Sequence, residues 1–141
     1  MLRFGYLLLR DGRWKDEQIV PADYVRHCRT ASPYNPHAPY SLQFDVNTSG
    51  HVPNVPRDAF WKAGSGGHTL YVVPSLDLVI WKLGGRDGQY SPRDTGVPTH
   101  ADAAREAKPR DSWKETIDVE TAKRRTLQEV IAAIDPAAKQ R

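Results

Sequence analysis

The sequence predicts an α/β chain of the α+β type, with antiparallel sheet strands, flanking helices and a C-terminal amphipathic helix. Three observations carry this. Apolar residues recur at helical spacing near both ends, over Leu2 to Leu9 and Val119 to Ile134. Between them lie β-rich runs, Tyr40 to Val46 and Leu70 to Leu83, punctuated by Gly, Pro and Asn. All aromatic residues except Trp113 precede Ser91, which assigns the core mostly to the first ninety residues.

Leu2, Tyr6 and Leu9 form the stripe of a short first helix, and Asp11-Gly12 supplies the left-handed residue that ends it. After a polar excursion containing Trp14, Pro21 stands where a second short helix begins, with Tyr24, Val25 and Cys28 as its buried stripe. Ser32 to Pro39 holds three prolines and reads as an extended loop. Tyr40, Leu42, Phe44 and Val46 alternate with polar residues, the pattern of one half-buried strand. Asn47 to Arg57 is another loop. Ala59 to Lys62, a glycine cluster, Leu70 to Val73, the turn Pro74-Ser75-Leu76-Asp77, and Leu78 to Leu83 read as two long strands joined as a hairpin. Leu78-Val79-Ile80-Trp81 is apolar on both faces, as expected of a strand inside a sheet covered on two sides.

Gly84 to Pro109 is rich in Gly, Pro, Asp and Ala without apolar period, so residues 84–117 form a long loop before the terminal helix. Ser112-x-x-Glu115 is a weak capping box. Ala122, Leu127, Val130, Ile131 and Ile134 then make the clearest helical stripe in the chain, and Pro136 marks its end.

With 141 residues, 39% of them hydrophobic and 26% charged, the chain suits one globular domain or part of one. No apolar run approaches the roughly 20 residues of a membrane helix, and Leu7 to Leu9 is too short for a signal h-region. The net charge of +3 is spread evenly, and Lys123-Arg124-Arg125, the longest basic run, reads as a solvated helix face. These features argue against nucleic-acid and membrane partners. Cys28 is the only cysteine, which excludes an internal disulfide and a thiolate zinc cluster and suits an inert buried thiol. Trp61 and Trp81 read as sheet-packing aromatics.

The densest unusual feature is Lys62-Ala63-Gly64-Ser65-Gly66-Gly67-His68. Glycine weakens a strand unless the sheet bends there or something must approach the backbone closely. A nucleophile elbow at Ser65 needs a helix after it, whereas His68 to Val73 is β-rich. A phosphate loop needs a Lys-Ser/Thr pair and a helix N-terminus, both missing here. His27, His37, His51, His68 and His100 are scattered without metal-ligand spacing, and no cofactor or metal is expected.

The stretch Phe60 to Ile80, FWKAGSGGHTLYVVPSLDLVI, resembles the last strand pair of the beta-lactamase family of serine hydrolases, the group of class C beta-lactamases, D-alanyl-D-alanine carboxypeptidases and esterases. Leu2 to Trp14 with Ile19-Val20-Pro21 resembles the helix and turn after that family's second motif. Tyr40 to Val46 resembles the strand entering the site, and Thr126 to Ile134 the terminal helix on the sheet. The resemblance implies a beta-lactamase/transpeptidase-like fold of which residues 1–141 are a single C-terminal part. It also implies acyl-enzyme hydrolysis of a small-molecule ester or amide in the intact protein. Intact members are often periplasmic or secreted.

That mechanism needs a Ser-x-x-Lys pair, a Tyr-x-Asn type motif and a strand with a Lys-Thr-Gly-like motif, whose backbone N–H groups help hold the oxyanion. Only the third piece is present. No serine here has lysine three places on, and no tyrosine has asparagine two places on. Catalytic residues are therefore not expected in this chain, and its Met1 falls where complete members would be past both motifs. The substrate-contacting residues implied are Lys62, Gly64, Ser65, Gly66, Gly67 and His68. Lys62-Ala63-Gly64 copies the Lys-x-Gly pattern and puts the oxyanion donor near Ser65. Counting back from Pro74 favours Ser65-Gly66-Gly67 and moves the donor to His68. The rival reading is a small noncatalytic binding or accessory protein that offers the glycine-lined strand as a docking edge. Strands apolar enough to need cover on both faces also suggest self-association through an exposed sheet edge.

Overall fold

The computed structural model describes residues 1–34, 39–64, 68–83 and 119–134. Three helices, α1 (Leu2–Leu9), α2 (Ala22–Cys28) and α3 (Val119–Ile134), accompany two sheets. A two-stranded ribbon pairs β1 (Arg13–Trp14) with β2 (Glu17–Gln18). The main sheet is an antiparallel meander of β3 (Tyr40–Ser41), β4 (Phe44–Val46), β5 (Phe60–Ala63), β6 (Thr69–Val73) and β7 (Leu78–Lys82), in that order. The architecture is α+β, as the patterning predicts.

Alternation along the strands splits the core in two. Phe44, Val46, Phe60, Leu70 and Val72 face Leu8 of α1 and Val25 and Cys28 of α2. Trp61, Tyr71 and Val73 face Val52, Val55 and Ala59 of the connection before β5, and Leu127 and Ile131 of α3. Between these covers β6 is buried along its whole length. Burying a side chain of this size contributes about 1.5–3 kcal/mol, so the two covers, not strand propensity, hold the sheet.

The apolar run Leu78 to Trp81 suggests a strand inside a sheet covered on two sides, and β7 has a neighbour on one side only among the described residues. It is the last strand among the described residues and is half-buried throughout. Apolar side chains on both faces are required where both faces are covered, whether or not a further strand follows. The two long strands expected from Ala59 to Leu83 are three, with the glycine cluster in the connection between β5 and β6 and a 3-10 turn, Pro74–Leu76, between β6 and β7. Asp77 takes the left-handed conformation that closes this turn (φ 50°).

Tyr40 to Val46 is likewise a hairpin rather than one strand. Leu42 and Gln43 both have positive φ, 44° and 71°, and form the two-residue turn between β3 and β4. Helix α1 also presents a different face from the predicted stripe. Gly5 and Leu8 are buried while Leu2 and Tyr6 are exposed. The reason is the close approach of the helix to the sheet: a Cβ on Gly5 would lie 2.4 Å from Val79 Cγ1 and 2.9 Å from Leu70 Cδ1. Gly12 ends the helix as predicted, at φ 83°, and its carbonyl accepts the N–H groups of Ile19 and Val20. In α2, Val25 and Cys28 are buried but Tyr24 is exposed. Leu127 and Ile131 carry the α3 stripe, with Ile134 exposed.

One end of the sheet is strongly fastened. Asn47 follows β4 and is fully buried; its amide Nδ2 donates to the carbonyls of Val52, Val55 and Pro56, and its Oδ1 accepts the Val52 N–H at 2.9 Å. This one side chain organises the connection from β4 to β5. Asp58 then accepts both the N–H (2.6 Å) and the hydroxyl (2.9 Å) of Ser75 in the β6–β7 turn. Across the same turn Arg10 pairs with Asp77 at 2.9 Å and lies over the Tyr6 ring.

Candidate functional site

The opposite end of the sheet carries the residues singled out in the sequence. Lys62 is the penultimate residue of β5, paired with Leu70, and is half-buried. Gly64 follows β5 and is exposed, as is His68 just before β6. The Gly64 N–H donates to the His68 carbonyl at 2.8 Å, so these two residues close the hairpin. Ser65, Gly66 and Gly67 lie outside the described residues, as do the 84–117 connection, His37, His100 and the Ser112 capping box.

Because Lys62 pairs with Leu70 and side chains alternate, Lys62, Gly64, His68 and Leu70 share the face covered by α1 and α2. The His68 ring stacks on Trp81 of β7, with centroids 5.8 Å apart and planes 13° from parallel. Trp81 thus does more than pack on the sheet: it backs an exposed imidazole. On the other face Thr69 pairs with Ala63 and Lys82. Its Oγ1 is buried without a hydrogen-bond partner, as is the indole N–H of Trp61.

The edge of β5 opens toward this end. β4 pairs with β5 only at Asp45↔Trp61 and Val46↔Phe60, whereas β6 follows β5 to Ala63. The Gly64 N–H points to β6, so by alternation the backbone groups of Ala63 point the other way, past the end of the β4 pairing. By the same register the Leu42-Gln43 turn sits beside Lys62 to Gly64. No sequence signal announced that turn, because its residues are not those that usually adopt positive φ.

Gly64 differs from the glycines that the fold requires. Its φ is outside the left-handed region, and among the described residues an added Cβ would meet only the His68 carbonyl oxygen, at 3.8 Å. Neither its conformation nor packing against the described residues calls for glycine there.

Other candidates are not brought into this site. Cys28 is buried in the core between α2 and the sheet, where burial pushes its thiol pKa up. Arg124 is half-buried, so Lys123-Arg124-Arg125 is not simply a solvated face. His51 lies against Trp61 on the α3 side, its Nδ1 3.2 Å from Ser49 Oγ. Among the described residues no group of three His, Cys, Asp or Glu side chains is placed to hold a metal ion, and no helix is long and apolar enough to cross a membrane. On the solvent side of α1, Arg3, Phe4, Leu7, Trp14 and Ile19 line a shallow groove of ≈ 310 Å³. Compared with family models, curated proteins and solved structures, the chain matches none.

Proposed function

We propose that this chain is the substrate-lining C-terminal part of a beta-lactamase-related serine hydrolase. In the intact protein an ester or amide is cleaved through an acyl-enzyme. The nucleophilic serine and its lysine come from a segment outside this sequence, since no Ser-x-x-Lys pair occurs in it. Gly64 is the observation that carries the reading: a glycine just after β5 that neither φ nor packing among the described residues explains, beside a strand edge that β4 stops pairing before Lys62. Glycine with no internal reason suits close approach of a ligand to the backbone.

The place of Lys62 and Ala63 on a strand supports the Lys62-Ala63-Gly64 register; Ser65, Gly66 and Gly67 lie outside the described residues. When the serine oxygen attacks the substrate carbonyl, the electron pair moves to the carbonyl oxygen. In this register the N–H donor for that charge falls near Ser65, a contribution worth about 2.7–4 kcal/mol per donor in such sites. Lys62 adds positive charge on the adjoining face.

The test begins with the DNA upstream of the Met1 codon. An in-frame segment carrying Ser-x-x-Lys and Tyr-x-Asn, joined to this chain, should label with a fluorophosphonate probe on the Ser-x-x-Lys serine, while residues 1–141 alone should not label or turn over p-nitrophenyl acetate. An upstream sequence without those motifs would leave the noncatalytic docking-edge reading, which the open edge at Ala63 also favours. Stoichiometric labelling of a serine in the isolated chain would overturn the assignment of the nucleophile.

A further inference from the structure

Asn47-Thr48-Ser49 is an Asn-x-Ser sequon, the acceptor pattern for asparagine-linked glycans. Acceptors in folded proteins stand on surface loops, because the glycan is bulky and must lie in solvent. Here Ser49 is exposed and Thr48 half-buried, but Asn47 is fully buried. The two N–H groups of its Nδ2 are spent on the carbonyls of Val52, Val55 and Pro56, at 3.2, 3.0 and 3.2 Å. The backbone of the sequon is closed as well. The Gly50 N–H donates to the Asn47 carbonyl at 2.8 Å, and the Asn47 N–H donates to the Ala59 carbonyl at 2.9 Å. Val52, Val55 and Ala59, the connection that this asparagine holds in place, pack in one cluster with Trp61 and Tyr71 of the sheet.

We infer that Asn47 is a glycan acceptor in the unfolded chain alone, and that folding and N-glycosylation of this chain exclude each other. In the transfer a bond forms between Nδ2 and the first carbon of the sugar. The bond from that carbon to a lipid-linked pyrophosphate breaks, the pyrophosphate leaves with the electron pair, and one amide proton passes to the transferase. A single N–H then remains where three carbonyls converge, and each stranded carbonyl loses its compensation for burial. The glycan also has to leave a site with no exposed surface, which opens the connection and uncovers the sheet face. A chain modified first therefore cannot complete the fold. In the other order the folded chain offers the transferase only its rare openings, since unfolded fractions are on the order of 10⁻³ to 10⁻⁶. The inference is independent of the hydrolase reading.

The experiment gives a single-subunit oligosaccharyltransferase and its lipid-linked oligosaccharide two acceptors at equal concentration, the folded full chain and a synthetic peptide of residues 44–52. The peptide should be modified at Asn47, and the folded chain at least about a hundredfold more slowly, as its unfolded fraction requires. Ser49→Ala, which breaks the sequon at an exposed position, should abolish modification of the peptide. A second measurement joins the full chain to an export signal and translates it into microsomes, where transfer precedes folding. The glycosylated fraction, recognised by its mass, should be digested by trypsin while the unglycosylated fraction resists. A peptide left unmodified would remove the acceptor, and a folded chain modified at the peptide's rate would show that Asn47 is reachable in the fold. A glycosylated fraction as resistant as the unglycosylated one would show that the fold accommodates the glycan. Each of these three results would overturn the inference.

Discussion

The two ends of the same sheet are built differently. At the end that holds the β6–β7 turn, Asn47 satisfies three carbonyls and an N–H, Asp58 grips Ser75 twice, and Arg10 pairs with Asp77. At the other end β4 stops pairing before Lys62, Thr69 Oγ1 is buried without a partner, and Leu42 and Gln43 hold positive φ. Gly64 there has no packing reason among the described residues to be glycine. The stabilising contacts thus concentrate where no ligand is expected, while a buried unpartnered hydroxyl and a strained two-residue turn lie beside the candidate site; left-handed residues also occur at the fastened end, at Asn54 and Asp77. Strain and unsatisfied groups persist only where the surrounding structure tolerates them, which is commonly at functional sites.

The largest effect expected is at the fastened end. Asn47→Ala removes four hydrogen bonds from a buried connection and should lower unfolding free energy by about 3 kcal/mol, since each stranded backbone group costs on the order of 1 kcal/mol or more. Urea unfolding measures it; a loss below about 1 kcal/mol would mean that the connection holds itself and the contrast is weaker than drawn.

Next comes the close approach of α1 to the sheet. Gly5→Ala drives a Cβ into Val79 and should cost about 1–3 kcal/mol by overpacking. A neutral result would show that α1 rides loosely on β6 and β7.

At the open end a substitution should stabilise. Gln43→Gly relieves a non-glycine residue at φ 71°, a conformation that costs roughly 1–2 kcal/mol, and part of that gain is offset by the greater freedom of glycine in the unfolded chain. A rise in melting temperature checks it, and a fall would show that the Gln43 side chain makes up for its backbone.

The smallest effect concerns pH. Burial holds the Cys28 thiol above its ordinary value, so the neutral thiol suits the folded state and ionisation favours the unfolded one. This contribution is fully present below the unfolded thiol value of about 8.5 and is lost as pH rises through the folded value. Unfolding free energy should decline above that point in the native protein and less so in Cys28→Ala; parallel declines would contradict it.

Much of this contrast was legible in the sequence, because helices and buried strands announce themselves by period. Gly12, Pro21, Val25, Cys28, Leu127 and Ile131 stand where spacing and turn chemistry put them. What escaped depends on contacts between distant residues. A glycine carries no hydropathy signal, so the buried face of α1 could not be read from Leu2 and Tyr6 once Gly5 met Val79. The Leu42-Gln43 turn lacks Gly, Asn and Asp and looks like strand alternation. Asn47 resembles any loop asparagine until the carbonyls of Val52, Val55 and Pro56 converge on it. In the site, Lys62, Gly64 and His68 were legible as a cluster, while the stacking of His68 on Trp81 required the register of β6 and β7.

The most direct measurement is on Gly64→Val, which places a side chain at a glycine that neither φ nor contacts among the described residues require. Melting of the full chain and fluorophosphonate acylation of the protein joined to its upstream segment are to be measured on the same variant. Unfolding free energy should stay within about 0.5 kcal/mol of the parent, the usual range for an unconstrained surface position, while acylation is lost. Acylation at the parental rate, or a loss of stability as large as that of Gly5→Ala, would contradict the reading of Gly64 as a substrate-lining residue.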